Sequence, residues 1–315
     1  MRLAVVGAGA VGRAVADLAG EYGHDVVALA DSSSAAVGEG VDVEAALATK
    51  DDTGRVGEHD PEAALEADYD VLVEATPTTL GSAEPGFGHV VSALERDRHV
   101  VLANKGPVAE RYDDVRAAER ESAGSVRFEA TVGGAIPVLS TIADAGPGQV
   151  TAARGVLNGT ANFILTRMAA EGLDYEHVLA EAQDLGVAEA DPSFDVEGTD
   201  AALKCVILAN VLGDGGYTLD DADVTGITDV PGEALELAAE DGRTIRLIGE
   251  VVGDRVRVGP RLIPEHGTLA VSGTRNIVQL ETNHAGRLNV SGRGAGGPET
   301  ATAVFSDVGR LPPLE

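Results

Sequence analysis

The N-terminal part of the chain alternates short apolar runs with segments whose apolar residues recur at helical spacing. Runs at 2–6, 26–30, 71–75, 99–103 and 125–129 predict five strands, and intervening patterns predict helices at 43–48, 61–65 and 89–96. Nearly continuous apolar runs of this length are typical of parallel strands that are buried on both faces. The pattern therefore predicts an α/β fold with a doubly wound parallel sheet.

From residue 137 onwards, strands of alternating polarity are interleaved with longer helices. The predicted strands cover 150–157, 244–252, 255–262 and 276–282. One predicted helix spans 163–170, and a second ends at Leu185, just before Gly186. A third starts after Thr199, which is its predicted N-cap, and a fourth runs from Pro298 to Val308. The glycine-dense segment 292–297 is predicted to be a loop outside any sheet. This part therefore predicts an α+β domain with a mixed or antiparallel sheet.

A glycine-rich turn follows the first predicted strand directly. It has the pattern G-x-G-x-x-G between a strand and a helix, which binds a dinucleotide pyrophosphate at the helix N-terminus in Rossmann-type domains. Asp31, after the second strand, stands where a carboxylate usually binds the adenosine ribose, which favours NAD. Ser32, Ser33 and Ser34 with Lys50 or Arg55 would instead suit the extra phosphate of NADP. The candidate coenzyme residues of the turn are Gly7, Gly9, Ala10, Val11 and Gly12.

Two further polar groups stand at the predicted carboxyl ends of strands. Thr76 follows the strand at 71–75, and Asn104 and Lys105 follow the strand at 99–103. Ligands of open α/β sheets bind beyond these ends, so the three residues should face the coenzyme. Lys105 is then either an ordinary surface lysine or a group that exchanges a proton with the substrate.

Residues 181–204 hold an acidic, proline-broken loop between two predicted helices, with the sequence EAQDLGVAEADPSFDVEGTDAALK. Asp200 and Lys204 are one helical turn apart and lie on one face of the second helix. They form either a solvated surface pair or, with the loop carboxylates of Glu189 and Asp195, a site for a small cationic, hydroxylated ligand.

Composition narrows the class of protein. The 315 residues carry 52 acidic and 23 basic side chains, a net charge of −29, which argues against nucleic acid or an anionic membrane as partner. Only three of the basic residues are lysines, and two of those are the candidates Lys105 and Lys204. The charge favours a high-salt cytoplasm, and neither a signal peptide nor a membrane-spanning run is predicted. Cys205 is the single cysteine, so an intrachain disulfide is excluded.

The segment 181–204 resembles the substrate-domain signature of homoserine dehydrogenases, as do A-N-K-G-P-V-A, G-V-L-N-G-T-A-N-F-I-L and G-R-G-A-G-G-P-E-T-A elsewhere. The resemblance implies hydride transfer between L-homoserine and L-aspartate 4-semialdehyde, with Lys105 and Lys204 at the reacting oxygen and Asp200 beside them. It implies that the glycine-rich segment with Gly296 returns to the dinucleotide-binding domain and lies near the nicotinamide. It implies a monovalent cation, such as sodium, at Glu129 and the carbonyls of Val132, Gly134 and Ile136, although a hinge without an ion explains that turn equally well. The implied substrate-binding residues are Glu189, Asp195, Asn158, Gly159 and Thr160.

The resemblance also implies a domain arrangement. The dinucleotide-binding domain is expected at 1–136 and 293–315, and the substrate-binding and dimerisation domain at 137–292, with a homodimer as the assembly and no appended regulatory domain. The alternatives are another two-domain NAD(P)-dependent reductase resembling dihydrodipicolinate reductase, which leaves 181–204 unexplained, and a dinucleotide-sensing protein without turnover. A semialdehyde dehydrogenase with a thiol nucleophile would depend on Cys205, which the helical pattern predicts to be buried.

Overall fold

The computed structural model describes residues 1–314, which form two compact units. The first unit comprises Met1–Ala135 together with the segment from Ala295 onwards, and the second comprises Ile136–Gly294. Within residues 1–314, no helix has the length and apolar character needed to cross a membrane.

The first unit is built on a six-stranded sheet with the order β3-β2-β1-β4-β5-β6. All neighbouring strands are parallel except the edge strand β3, which is antiparallel to β2. The order reverses on either side of β1, which is the switch point where such sheets bind ligands. The strands are β1 (Arg2–Val6), β2 (Asp25–Ala30), β3 (Ala35–Val37), β4 (Val71–Glu74), β5 (His99–Leu102) and β6 (Val126–Arg127).

Seven helices of the first unit connect or follow these strands, and an eighth comes from the C-terminal segment. They are α1 (Ala10–Leu18), α2 (Val43–Thr53), α3 (Ala63–Glu66), α4 (Gly86–Leu94), α5 (Gly106–Glu110), α6 (Tyr112–Arg120), α7 (Ala130–Gly133) and α14 (Gly297–Val308).

The C-terminal helix α14 completes the core of the first unit. It packs along α1, and its apolar residues Ala301, Val304 and Phe305 are buried in the same cluster as Leu3 and Val5 of β1. The Phe305 ring also stacks on Tyr22, with centroids 4.2 Å apart. Burial of apolar surface therefore ties the two ends of the chain into one unit.

The second unit has a six-stranded sheet with the order β12-β11-β7-β9-β10-β8. Its pairs are antiparallel apart from β8 and β10, which are parallel. The strands are β7 (Val150–Val156), β8 (Ala222–Val224), β9 (Arg243–Val252), β10 (Arg255–Pro264), β11 (Arg275–Thr282) and β12 (Arg287–Arg293). The predicted combination of a Rossmann-type parallel sheet with an α+β domain is confirmed.

Three helices of the second unit pack on its sheet: α9 (Gly159–Glu171), α12 (Thr199–Leu212) and α13 (Gly232–Glu240). Gly249 of β9 lies so close to α12 that a Cβ atom there would overlap the Cys205 sulfur. Cys205 is fully buried, and burial raises the pKa of its thiol to about 12, so it does not serve as a thiolate nucleophile. The helices are α8 (Val138–Ala145), α9 (Gly159–Glu171), α10 (Tyr175–Asp184), α11 (Ser193–Val196), α12 (Thr199–Leu212) and α13 (Gly232–Glu240).

Several predicted boundaries are wrong. Gly292, predicted to lie in a loop, pairs with Asn276 inside β12. Thr199 is the first residue of α12 and Gly198, with φ near 90°, is its cap. The helix predicted at 163–170 begins earlier, at Gly159, and Asn158 caps it. The sequence pattern does not predict the strands β3, β8 and β12 or the helices α5, α6, α7, α8, α11 and α13.

Candidate functional site

The glycine turn after β1 has the backbone that a dinucleotide requires. Gly7 has φ 107° and lies against Ala75, where a Cβ atom would overlap the Ala75 carbonyl. A Cβ on Gly12 would overlap the Gly7 carbonyl, so the start of α1 can approach the strand only with glycine there. Gly9 caps α1 and has open space around its Cβ position, and Ala10 and Val11 begin the helix. These features fit a pyrophosphate at the N-terminus of α1.

Gly296 lies at the start of α14 in the same unit. It has φ 119°, and the following Gly297 sits where a Cβ atom would come within 2.7 Å of the Ala10 carbonyl. The C-terminal glycine run therefore contacts the predicted coenzyme turn.

Asp31, at the end of β2, is held by several donors. Its Oδ1 accepts from the Ser33 N–H at 2.8 Å and the Ser34 N–H at 2.9 Å, and its Oδ2 pairs with Lys50 from α2. Burial alone would raise the pKa of this carboxyl, but the hydrogen bonds from Lys50 and Ser33 lower it to about 2. Helix α2 therefore supplies Lys50 as the cationic partner of Asp31.

The ends of β4 and β5 are joined by a network that begins at Glu74. This glutamate is 0% exposed, and its Oε1 accepts from the Thr76 backbone N–H, the Thr76 hydroxyl and the His89 ring. The Thr76 hydroxyl in turn accepts from Asn104 Nδ2 at 3.1 Å, and Asn104 Oδ1 accepts from the Gly106 N–H at 2.9 Å. Sequence reasoning missed Glu74, because a glutamate inside an apolar run gives no spacing signal.

Lys105 is the N-cap of α5 and lies between Asn104 and Gly106, which the hydrogen bond of this network joins. Its backbone N–H lies 3.4 Å from the Thr78 hydroxyl, and its side chain is half-buried. Since the registers pair Val6 with Glu74 and Glu74 with Leu102, Lys105 stands at the same sheet edge as the glycine turn. The structure therefore brings Thr76, Asn104 and Lys105 to the predicted place.

In the second unit, Lys204 lies at the centre of a buried polar cluster. It is 6% exposed, and its Nζ donates to Asp200 Oδ2 and to the Leu157 carbonyl, each at 2.6 Å. Asn158 Nδ2 donates to Asp200 Oδ2 at 2.9 Å and to Asp195 Oδ1 at 2.6 Å. A buried ion pair with further hydrogen bonds to Leu157 and Asn158 is not the solvated surface pair that spacing alone allowed.

The N-terminus of α9 is part of this cluster. Asn158 caps the helix by accepting from the Ala161 N–H at 2.8 Å, and Gly159 is its first residue. A Cβ on Gly159 would come within 2.9 Å of the Thr274 carbonyl, so the turn is closed down on the start of β11. The Thr160 hydroxyl donates to the Val187 carbonyl at 3.1 Å, which ties the acidic loop to α9.

Glu189 lies outside the cluster. Its side chain is exposed, its carbonyl accepts from Gln183 Nε2 at 3.1 Å, and its carboxylate hydrogen-bonds to no other residue among 1–314. The structure therefore brings together Asn158, Asp195, Asp200 and Lys204 of the predicted substrate residues, with Gly159 and Thr160 adjacent.

The residues expected to hold a cation do not form a group of ligating side chains. Within residues 1–314, no three His, Cys, Asp or Glu side chains lie close enough together to hold a metal ion. A cation site here would therefore depend on carbonyl oxygens. Glu129 is buried and its N–H donates to Asp307 Oδ2 at 2.7 Å. Burial raises the pKa of Asp307 to about 7, against the lowering effect of that hydrogen bond. Val132 lies in α7, Gly134 has φ 57°, and the Ile136 carbonyl accepts from the Val138 N–H at 2.8 Å.

Comparison with known proteins agrees over both units. A family model described as homoserine dehydrogenase matches residues 137–308, and one described as homoserine dehydrogenase, NAD binding domain, matches residues 7–129. Homoserine dehydrogenase of Methanocaldococcus jannaschii is 40% identical over 328 residues, which cover 98% of this chain and 97% of that protein.

Solved structures give the same result. A provisionally named homoserine dehydrogenase from Archaeoglobus fulgidus superposes with a TM-score of 0.89 at 42% identity, covering 98% of each chain. A hyperthermophilic archaeal homoserine dehydrogenase in complex with NADPH superposes with a TM-score of 0.86 at 27% identity, covering 100% of this chain and 99% of that one.

Proposed function

Because the chain belongs to the homoserine dehydrogenase family, we propose that it interconverts L-homoserine and L-aspartate 4-semialdehyde with Lys105 and Lys204 at the reacting oxygen. Family membership makes it an NAD(P)-dependent oxidoreductase that acts on a CH–OH group. The observation that supports the lysine roles best is the buried cluster of Lys204, Asp200 and Asn158.

The substrate is an amino acid, and the two ends of the cluster suit its two charged groups. We assign the ammonium group to the carboxylates of Asp195 and Asp200, with Glu189 approaching from the exposed loop. The carboxylate is assigned to the N-terminus of α9, where the backbone of Gly159 and Thr160 presents the positive end of the helix dipole.

Lys204 would hold the substrate oxygen directly. An ammonium group has three N–H donors, and the structure assigns two of them, among residues 1–314, to Asp200 and the Leu157 carbonyl. The third is then directed to the oxygen on substrate C4. Lys105, at the coenzyme edge of the first unit, would accept the hydroxyl proton during oxidation and return it during reduction.

The coenzyme supplies the hydride chemistry: when bound, nicotinamide C4 accepts the hydride that leaves substrate C4. The glycine turn fits this coenzyme, because the backbone packs too closely at Gly7 and Gly12 for any side chain, and the space around Gly9 is open beside the N-terminus of α1. Asp31 favours the ribose hydroxyls of NAD, whereas Lys50 beside it suits the extra phosphate of NADP.

We further propose a sodium ion at Glu129 with the carbonyls of Val132, Gly134 and Ile136. Oxygen ligands suit a hard cation, and a cation here would offset the repulsion between Glu129 and the buried Asp307. A homodimer through the sheet of the second unit is the proposed assembly, which the molecular mass in solution tests. The cytoplasmic, high-salt setting stays a prediction.

The test is an absorbance assay at 340 nm, the general nicotinamide band, with L-homoserine and each coenzyme in molar KCl. Lys105→Met and Lys204→Met should each lower kcat by about 10²–10⁴-fold, because each removes a group at the reacting oxygen. Coenzyme affinity, measured by titration of NADH or NADPH fluorescence, should stay within about threefold.

Because Lys204→Met removes the ammonium group that pairs with the buried Asp200 carboxylate, the double variant Lys204→Met/Asp200→Asn serves as the folding control. Circular dichroism confirms that each variant is folded. Full turnover in folded Lys204→Met would remove the proposed role, and no turnover of homoserine by the unaltered protein would remove the proposed substrate.

A further inference from the structure

The Leu157 carbonyl that binds Lys204 has a second donor. Asn276, the second residue of β11, is 1% exposed, and its Nδ2 donates to the Leu157 carbonyl at 3.1 Å. The same oxygen accepts from Lys204 Nζ at 2.6 Å. A carbonyl oxygen has two lone pairs, and here a buried amide takes one and the lysine takes the other.

The position of Asn276 is fixed by the backbone around it. The antiparallel register pairs Ile277 with Val156, so Asn276 lies opposite the end of β7, next to Leu157. A Cβ on Gly155 would overlap the Ile277 carbonyl, which shows how closely the two strands approach. The amide group of Asn276 therefore reaches the Leu157 carbonyl from a rigid strand.

The carbonyl oxygen of the Asn276 side chain is unfavourable for folding. Asn276 Oδ1 is buried and accepts from no donor among residues 1–314. Burying an acceptor without a donor is destabilising, and this cost offsets the stabilisation from the one hydrogen bond to Leu157. The Asn276 side chain therefore adds little to the stability of the fold. An apolar residue would be the stable choice at this position, which points to a role in the site.

A glycine leaves room for this amide. Gly294 has no positive φ, so its backbone would accept any residue, but a Cβ built on it would overlap Asn276 Nδ2. The absence of a side chain at Gly294 is therefore explained by the space that Asn276 occupies.

We propose that Asn276 is a positioning residue for Lys204, acting through the Leu157 carbonyl. By holding one lone pair, the amide fixes the carbonyl so that its other lone pair meets the lysine, and the ammonium group is then directed between Leu157 and Asp200. Without the amide, Lys204 keeps Asp200 as its one fixed acceptor and its remaining N–H groups lose their direction. The inference rests on the proposed role of Lys204.

Asn276→Ala should lower kcat by between about tenfold and a hundredfold, because a misdirected catalytic group loses near-attack geometry. The KM for the coenzyme should not change. The pH profile of kcat should be displaced, since the surroundings of the lysine ammonium change, and the thermal midpoint should hold or rise. Gln279→Ala is the matched control: it removes another buried amide of β11, whose partner is Asn289, and should leave kcat and its pH profile unchanged.

Gly294→Ala displaces the amide without removing it and should reproduce the kinetic effect of Asn276→Ala. Combining the two should add little, because both act on one hydrogen bond. This variant also provides the test if Asn276→Ala does not fold. The inference is overturned if folded Asn276→Ala, or in its place Gly294→Ala, keeps the kcat and pH profile of the unaltered protein while Lys204→Met loses turnover. If Lys204→Met keeps turnover, the proposed function is what fails.

Discussion

Asp31 shows how one carboxylate is prepared for a polar ligand by its own neighbours. Its side chain is only 8% exposed, yet it stays ionised because Ser33, Ser34 and Lys50 donate to it. A carboxylate held in this way keeps a fixed orientation next to the glycine turn, whose Gly7 N–H donates to the Ala30 carbonyl at 2.9 Å.

The lowered pKa of Asp31 predicts a stability effect with a definite pH range. The folded pKa is about 2 and the ordinary value is 3.8, so the stabilisation is fully present above about pH 4 and is lost as the pH falls through about 2. Asp31→Asn should therefore lower the free energy of unfolding by about 2 kcal/mol at pH 6, measured by urea titration in molar KCl.

The difference between Asp31→Asn and the unaltered protein should shrink as the pH approaches 2. Asp51→Asn is the control, since Asp51 is 63% exposed in its pair with Arg13 and should contribute little. A difference for Asp31→Asn that does not change with pH would contradict the assignment.

The candidate site residues that the sequence predicts are those whose spacing in a helix, or whose position after a strand, indicates which face or edge they lie on. Lys204 and Asp200 are one helical turn apart, and Lys105 follows a strand. Glu74 ends the otherwise apolar strand β4, and Asn276 is one of several polar residues of β11, so only tertiary structure shows what their side chains contact. Their burial, the one feature that marks them, depends on neighbours distant in sequence.

At the scale of elements, apolar runs located the central strands because burial on both faces leaves a continuous signal. The edge strands β3, β8 and β12 were missed because three-residue strands and an exposed edge leave almost none. The glycines give a wrong prediction at β12, where Gly292 pairs with Asn276 inside the strand although a glycine-dense segment indicates a loop. The N-cap of α12 lies one residue before the predicted Thr199, at Gly198, because a threonine alone does not fix the cap.

The close contact between Gly249 of β9 and Cys205 of α12 predicts that a methyl group added at Gly249 lowers stability. Gly249→Ala places a Cβ onto the Cys205 sulfur and within 3.0 Å of a Leu157 methyl, so α12 must move. The free energy of unfolding should fall by about 1–3 kcal/mol, as is usual for an overpacked core.

Since α12 also carries Lys204, kcat should fall in Gly249→Ala as well. Cys205→Ala in the same chain makes room for the new methyl group and should restore part of both quantities, which urea titration and the 340 nm assay measure. If Gly249→Ala were as stable as the unaltered protein, the close packing of α12 on β9 would be refuted.

At the scale of the whole molecule, the net charge of −29 predicts a dependence on salt. The like charges repel at low ionic strength, whereas at 1 M salt the Debye length is about 3 Å and most of this repulsion is screened. The thermal midpoint should therefore rise steadily from dilute buffer to molar KCl. Sucrose at matched osmolality, which does not screen charge, should give a smaller rise; an unchanged midpoint in KCl would oppose the high-salt interpretation.

The place of α14 in the first unit has a consequence for biosynthesis. Ala301, Val304 and Phe305 enter the same core as β1, so β1 cannot complete its packing until α14, which follows the whole second unit in sequence, leaves the ribosome. The second unit, which is continuous in sequence, meets no such delay and can fold while translation is still under way. A nascent chain halted before α14 would expose the apolar surface that this helix covers, and so offer chaperones a binding site.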